Sequence, residues 1–320
     1  MENPRFERPL HDRGSLGLAS AQARGTGPRD VRRIADGSPA IGSMTDPQAI
    51  YHRISPPTSW SNVSFSELWA FRDLFAILAQ RDIKVRYKQT ILGIVWIVLQ
   101  PLASAVIFAA VFGNLAKLKS DGAPYILFVF AAMLPWNLLA AGLARAGNSL
   151  VGDASLISKV YFPRIIIPIS SLSACLVDFG VTAVVMVVLG LLYGNGPSLT
   201  WVAVVPLTAL LLVLILGTSL FFTAMSVYYR DFKYLLPFAI QAWMYGSPLV
   251  YATSIVPDEW QVLYHLNPMA GIIDGFRWAL LPNREFPGNW LLLAVPGTLA
   301  VFLVGLYVFQ RVERSFADVI

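Results

Sequence analysis

Charge and reactive side chains are scarce in this sequence. Only 13% of its 320 residues are charged and 56% are hydrophobic, where a soluble domain carries about 25% charged. The single cysteine, Cys175, excludes an internal disulfide framework and a cysteine cluster for metal. Three histidines, His11, His52 and His265, are too scattered for a local metal motif. No Gly-Lys pair occurs, so the phosphate-cradling loop of nucleotide hydrolases is absent. Neither a His-Glu-x-x-His nor a Gly-x-Ser-x-Gly pattern is present. Asp153, Asp231 and Asp258 are far apart in sequence and suggest no paired-carboxylate constellation. These absences speak against an ATPase or a hydrolase, and less strongly against a membrane enzyme acting on lipid-linked sugars. The first 30 residues hold no apolar core, so no cleavable leader is expected.

What the sequence has instead is long apolar runs. A membrane-crossing helix needs ~20 mostly apolar residues, because the hydrocarbon core is ~30 Å thick and each residue rises ~1.5 Å. Six runs are predicted to cross: residues 91–112, 124–144, 165–193, 201–228, 235–251 and 290–309. Basic residues set the orientation. Arg145, Lys159 and Arg164 lie between the second and third runs, Arg230 and Lys233 between the fourth and fifth, and Arg311 and Arg314 after the last. The basic N-terminal segment joins the same side, whereas Lys117, Lys119, Arg277 and Arg284 fall on the other. Both termini are therefore expected in the cytoplasm. The net charge of +5 sits at membrane edges and does not indicate nucleic acid.

Three further segments flank these runs. Residues 1–58 are rich in Pro, Gly, Ser and Arg and lack an apolar period, which predicts a disordered cytoplasmic extension ahead of a membrane domain at 59–320. Residues 64–88 place Leu68, Phe71, Phe75 and Leu78 at helical spacing, with Glu67, Arg72, Asp73, Arg81 and Asp82 as a charged side. This pattern predicts an amphipathic interface helix on the cytoplasmic leaflet. Residues 252–289 hold two short helical patterns. One runs from Asp258 to His265. The other opens at Asn267-Pro268 and carries Ile272, Ile273, Phe276 and Leu280. Neither is long enough to span, so they read as a re-entrant pair or as a folded outer loop.

Several blocks resemble a known family. Phe71-Arg72-Asp73-Leu74 leads through Arg81-Asp82-Ile83-Lys84-Val85-Arg86-Tyr87-Lys88 to Leu99-Gln100-Pro101-Leu102. Pro135-Trp136, then 156–164 (Leu-Ile-Ser-Lys-Val-Tyr-Phe-Pro-Arg), Tyr229-Arg230-Asp231, Asn267-Pro268-Met269 and Gly275-Phe276-Arg277 follow in order. Together they resemble the permease subunits of type-2 ABC exporters over about residues 65–320, with the O-antigen and related polysaccharide permeases nearest. Capsule and teichoic acid permeases share much of the pattern, and a drug or small-molecule exporter of the same broad family is a further alternative.

The resemblance implies an all-α, six-span permease in a bacterial inner membrane, which is a transport channel and not an enzyme. It implies a homodimer with two copies of a separate ABC ATPase that holds the ATP and magnesium, no cofactor in this chain, and a lipid-linked polysaccharide as cargo. It places the ATPase-coupling segment at Ser155, Leu156, Ile157, Ser158, Lys159 and Val160. A polymer needs a tunnel whose aromatic faces pack on sugar rings. Trp96, Trp136, Trp243 and Tyr245 are candidate channel-lining residues, although Trp and Tyr also gather in interfacial belts. Asp178, the one carboxylate deep in an apolar run, is expected to line the channel or to make a packing hydrogen bond, for example to Ser104. Asn267, Pro268, Phe276 and Arg277 are candidates for an outer gate.

Overall fold

In the computed structural model the described residues are 65–88, 93–157, 159–160, 162–229, 231–282 and 284–313. The expected extension at 1–58 lies outside them. All described residues belong to one compact unit, Ser59–Ile320, and among them only helices form regular structure.

The chain begins with α1 (Phe65–Ala70) and α2 (Arg72–Lys88), separated by a turn at Phe71. One continuous helix is expected from the sequence, and the structure divides it. Next come α3 (Gly93–Phe108), which continues as a π-helical stretch Ala109–Leu115, and α4 (Tyr125–Ala146). Two four-residue helices follow, α5 (Ser149–Gly152) and α6 (Ala154–Ile157). The long α7 (Ile166–Leu192) precedes α8 (Val204–Tyr228), which a 3-10 turn at Leu199–Ala203 introduces. The remaining helices are α9 (Phe232–Tyr245), α10 (Asp258–His265), α11 (Pro268–Leu280) and α12 (Asn289–Glu313).

Among the described residues, five helices are long and apolar enough to cross a membrane: Val95–Leu115, Tyr125–Ala146, Ile166–Leu192, Leu199–Tyr228 and Asn289–Glu313. The fifth expected run differs. The apolar stretch 235–251 supports only the 14 residues of α9, about 21 Å at 1.5 Å per residue. Gly246, Ser247 and Pro248 end it. Proline lacks the N–H that would continue the ladder and disfavours α geometry in the residue before it. Leu249, Val250 and Tyr251 keep the hydropathy high past the point where the helix has stopped.

The core is built around α4. Buried residues make up 78% of its apolar stretch, against 11% for the α3 span. Leu127, Phe128, Phe130, Leu134 and Leu139 are buried in a cluster shared with α7, α8 and α11. Outward faces stay apolar, as at Val106 on α3, Val184 and Val188 on α7, and Leu299 and Leu303 on α12. A surface of this kind suits lipid, whereas soluble monomers rarely expose such contiguous patches.

A second cluster gathers Leu78 of α2, Leu150 of α5, residues 165–167, the end of α8 (Leu220, Ala224, Val227) and the end of α12 (Phe309, Val312). The start of α7 and the ends of α8 and α12 therefore share one end of the bundle. At the other end, Thr200 before α8 donates to the Ala279 carbonyl of α11 at 2.8 Å. A Cβ on Gly271 of α11 would meet the Trp290 carbonyl oxygen of α12 at 2.8 Å. The parallel pair α8 and α12 touch through glycine. A Cβ on Gly305 would clash with the Gly217 carbonyl oxygen, and one on Gly217 would clash with Phe302 Cα. Small residues at this crossing let the backbones meet.

Candidate functional site: a polar cavity among apolar helices

A cavity of about 500 Å³ opens between α2, α3, α4 and α7. Each helix contributes by its own periodicity. Trp96, Gln100 and Ser104 are spaced by four on α3, Met133, Asn137 and Ala141 by four on α4, and Cys175, Asp178, Phe179 and Thr182 share a face of α7. Arg86 and Tyr87 complete the wall from the end of α2. Gln100, Ser104 and Asn137 make no side-chain hydrogen bond among the described residues. The cavity thus offers amide and hydroxyl groups beside the indole of Trp96 and the ring of Phe179, which suits sugars, whose rings pack on aromatic faces while their hydroxyls bond to polar groups.

Asp178 is the electrostatic centre of this wall. Arg86 forms an ion pair with it, and the Tyr87 hydroxyl donates to its Oδ1 at 2.6 Å. The Asp178 side chain is 14% exposed and that of Arg86 29%. A lone carboxylate among apolar helices is costly, so its charge is held by a guanidinium and a phenol. The expected hydroxyl partner Ser104 lines the same cavity, but Tyr87 and Arg86 supply the contacts. Burial, and then the hydrogen bond to Asp178, push the Tyr87 phenol up to about 12. It therefore keeps its proton and remains the donor at neutral pH. Arg86 reads in the sequence as part of a basic flank. Its position at the end of α2, where that helix packs along the first half of α7, brings it to the carboxylate instead.

The other candidate lining residues fall elsewhere. Trp136 is 5% exposed and lies inside the core around α4, because its side chain points away from the cavity face of that helix. Trp243 of α9 donates from Nε1 to Asn267 Oδ1 at 2.8 Å. Tyr245 is exposed at the end of α9, where its hydroxyl meets Gln241 Nε2 at 3.4 Å. Of the expected set, the cavity brings together Trp96 and Asp178. Sequence reading missed Gln100, Asn137, Arg86 and Tyr87, and the four-residue polar spacing on α3 was the available signal.

The candidate gate residues form a tightly bonded corner. Asn267 caps α11 by accepting from the Met269 N–H at 3.1 Å, and its Nδ2 donates to the Gly246 carbonyl and Ser247 Oγ at 3.0 Å. Pro268 occupies the first turn, where a missing N–H costs nothing. Phe276 is fully buried and meets Phe179 edge-on at 6.3 Å. Arg277 is 2% exposed. It donates to the carbonyls of Phe128, Tyr251 and Leu249, and its guanidinium lies 3.7 Å from the centre of the Phe128 ring. Burial pulls it down to about 10, with Asp274 opposing, so it stays charged at neutral pH. The corner fastens the non-helical segment after α9 to α4 and α11.

The expected coupling segment is α6 and the turn after it. Ser155, Leu156 and Ile157 lie in α6, Lys159 and Val160 follow in a turn, and Ser158 is outside the described residues. Leu156 and Ile157 are half-buried against the second cluster, while Val160 is 50% exposed. The interface-helix residues also turn partly inward. Phe71 packs on that cluster, Arg72 and Asp73 form a weak exposed pair, and Arg81 pairs with Asp82 and Asp153 at 2.9 Å.

A family model described as "ABC-2 type transporter" matches residues 73–281. An O-antigen export system permease protein RfbA of Klebsiella pneumoniae is 28% identical over 249 residues, covering 78% of this chain and 95% of that protein. The protein of the same name from Myxococcus xanthus is 27% identical, covering 79% of this chain and 97% of its own length. The polysialic acid transport protein KpsM of Escherichia coli is 20% identical, covering 73% of this chain and 92% of itself.

Proposed function

Because the chain belongs to the ABC-2 type transporter family, we propose that it is the membrane-spanning permease subunit of an ABC exporter for lipid-linked polysaccharide of the O-antigen class. As a family member with several apolar helices, it is a multi-pass inner-membrane protein. The observation that carries the cargo reading is the cavity at Trp96, Gln100, Asn137 and Asp178, whose hydrogen-bonding groups and aromatic faces match glycan chemistry. The relatives' O-antigen names over nearly their whole lengths support it.

ATP and magnesium belong to a partner ATPase, two copies of which serve two copies of this chain. The partner seats on the turn after α6, where Val160 offers an apolar side chain. Helix α9 and the non-helical residues 246–251 after it make a sixth crossing. Its support is that α8 and α12 end at the same end of the bundle, so that a return of the chain to the far end between them joins the two helices. Both termini are then cytoplasmic, α2 lies at the cytoplasmic interface, and α10 and α11 are short outer helices that do not cross.

The test is purification with an ABC ATPase and measurement of ATP hydrolysis. Lipid-linked glycan is expected to stimulate it, whereas hydrophobic small molecules are not. Stimulation by the small molecules alone would assign the chain to drug export.

A further inference from the structure

We propose that the Arg81–Asp153 ion pair is the link by which movement of the α6 segment reaches the wall of the glycan cavity. Asp153 is tied both to α6 and to α2. Its backbone carbonyl accepts from the N–H groups of Leu156 and Ile157, at 2.9 and 3.3 Å, and so opens α6. Its carboxylate is held at both oxygens by Arg81 Nη1 and Nη2, each at 2.9 Å. A fork of this kind fixes orientation as well as distance, because the guanidinium is planar and the two bonds are parallel. Asp82 holds Arg81 Nε at 2.9 Å and sets the direction of the guanidinium.

The other end of the link is on the same helix. Five residues separate Arg81 from Arg86, about 7.5 Å along α2. There Arg86 and Tyr87 grip Asp178 in the cavity wall. Helix α2 is thus fastened at one point to the residue that begins α6 and at the next turn to the carboxylate facing the cavity. A push on α6 moves Asp153, then α2, then Arg86 and Tyr87, and finally α7 at Asp178. The side chains of Arg81 and Asp153 are 42% and 22% exposed, so solvent screens part of the pair's contribution to folding stability. The pair is placed to act on position, and co-purification of the complex checks that the variants below still fold.

This inference rests on the reading that an ATPase acts at the α6 segment, and its test does not depend on cargo. Spin labels on Gln100→Cys and Asn137→Cys, in a Cys175→Ala background, report the width of the cavity between α3 and α4. The full chain is purified with its ATPase, and the label distance is measured without nucleotide and with ATP trapped. A nucleotide-dependent shift is expected with the native pair. Arg81→Glu and Asp153→Arg should each lose the shift while the complex still co-purifies, and the two together, which restore opposite charges, should recover it. A full shift in either single variant overturns the link. So does a combined variant that fails to recover, or the absence of any shift with the native pair. If no lipid-linked glycan stimulates the unlabelled complex while the shift and its recovery hold, the cargo reading fails and the link stands.

Discussion

Asp178, Arg86 and Tyr87 place three polar groups where apolar helices meet, and their energetics separate structural from functional roles. Removing one partner of a partly buried pair strands the other charge, a loss of about 3–5 kcal/mol when burial is complete and less here. Asp178→Ala is therefore expected to lower the melting temperature of the purified protein. Arg86→Met together with Asp178→Leu should recover most of that loss, because an apolar pair of similar volume leaves no charge unpaired. Thermal unfolding of the three proteins checks the order, and a double variant less stable than Asp178→Ala would contradict it. The side chains of Gln100 and Asn137 make no hydrogen bond among the described residues, so their loss should act on cargo and not on folding. At about 1 kcal/mol per hydrogen bond, Gln100→Ala or Asn137→Ala should raise the glycan concentration for half-maximal ATPase stimulation roughly fivefold. An unchanged value would remove that residue from the binding surface.

At the scale of elements, α8 and α12 meet through a glycine contact. Gly305→Ala would drive a methyl group into the Gly217 carbonyl, and overpacking of this kind costs about 1–3 kcal/mol or more. Gly180 of α7 has open space for a Cβ, so Gly180→Ala is the matched control. Folded yield by size-exclusion in detergent should fall for the first and hold for the second. Equal yields would mean that α8 and α12 part without penalty. The coupling turn gives a second expectation. Val160→Asp should weaken co-purification of the ATPase with little effect on fold, because Val160 is exposed. Leu156→Asp should harm both, since Leu156 packs on the protein's own cluster. A Val160→Asp complex that co-purifies at the native level would place the contact elsewhere.

Five long helices were legible because twenty apolar residues have few alternatives. The end of α9 was not, because hydropathy ran on through Leu249 and Val250 while Gly246, Ser247 and Pro248 had already stopped the helix. The turn at Phe71 was hidden by an apolar spacing that continues across it. Asp178 was legible as an anomaly, but its partner lies 91 residues away in sequence, and no local pattern encodes that pairing. Trp136 looked like a lining residue because composition reports an aromatic and not the face it occupies.

For the whole molecule, the gathering of helix ends into two groups gives an orientation test. Lys119→Cys and Glu285→Cys, in a Cys175→Ala background, should label from outside intact cells, and Lys159→Cys should not. Outside labelling of position 159 would invert the topology and remove the ATPase surface from the cytoplasm. The central claim is that glycan passes the cavity among α2, α3, α4 and α7 in an ATPase-driven permease. It is tested most directly by placing a photo-crosslinking amino acid at Gln100 and, as a buried control, at Trp136, in the complex turning over ATP with lipid-linked glycan. A glycan adduct at position 100 and none at 136 is the expected result. A stimulated complex that forms no adduct at position 100 would contradict the claim.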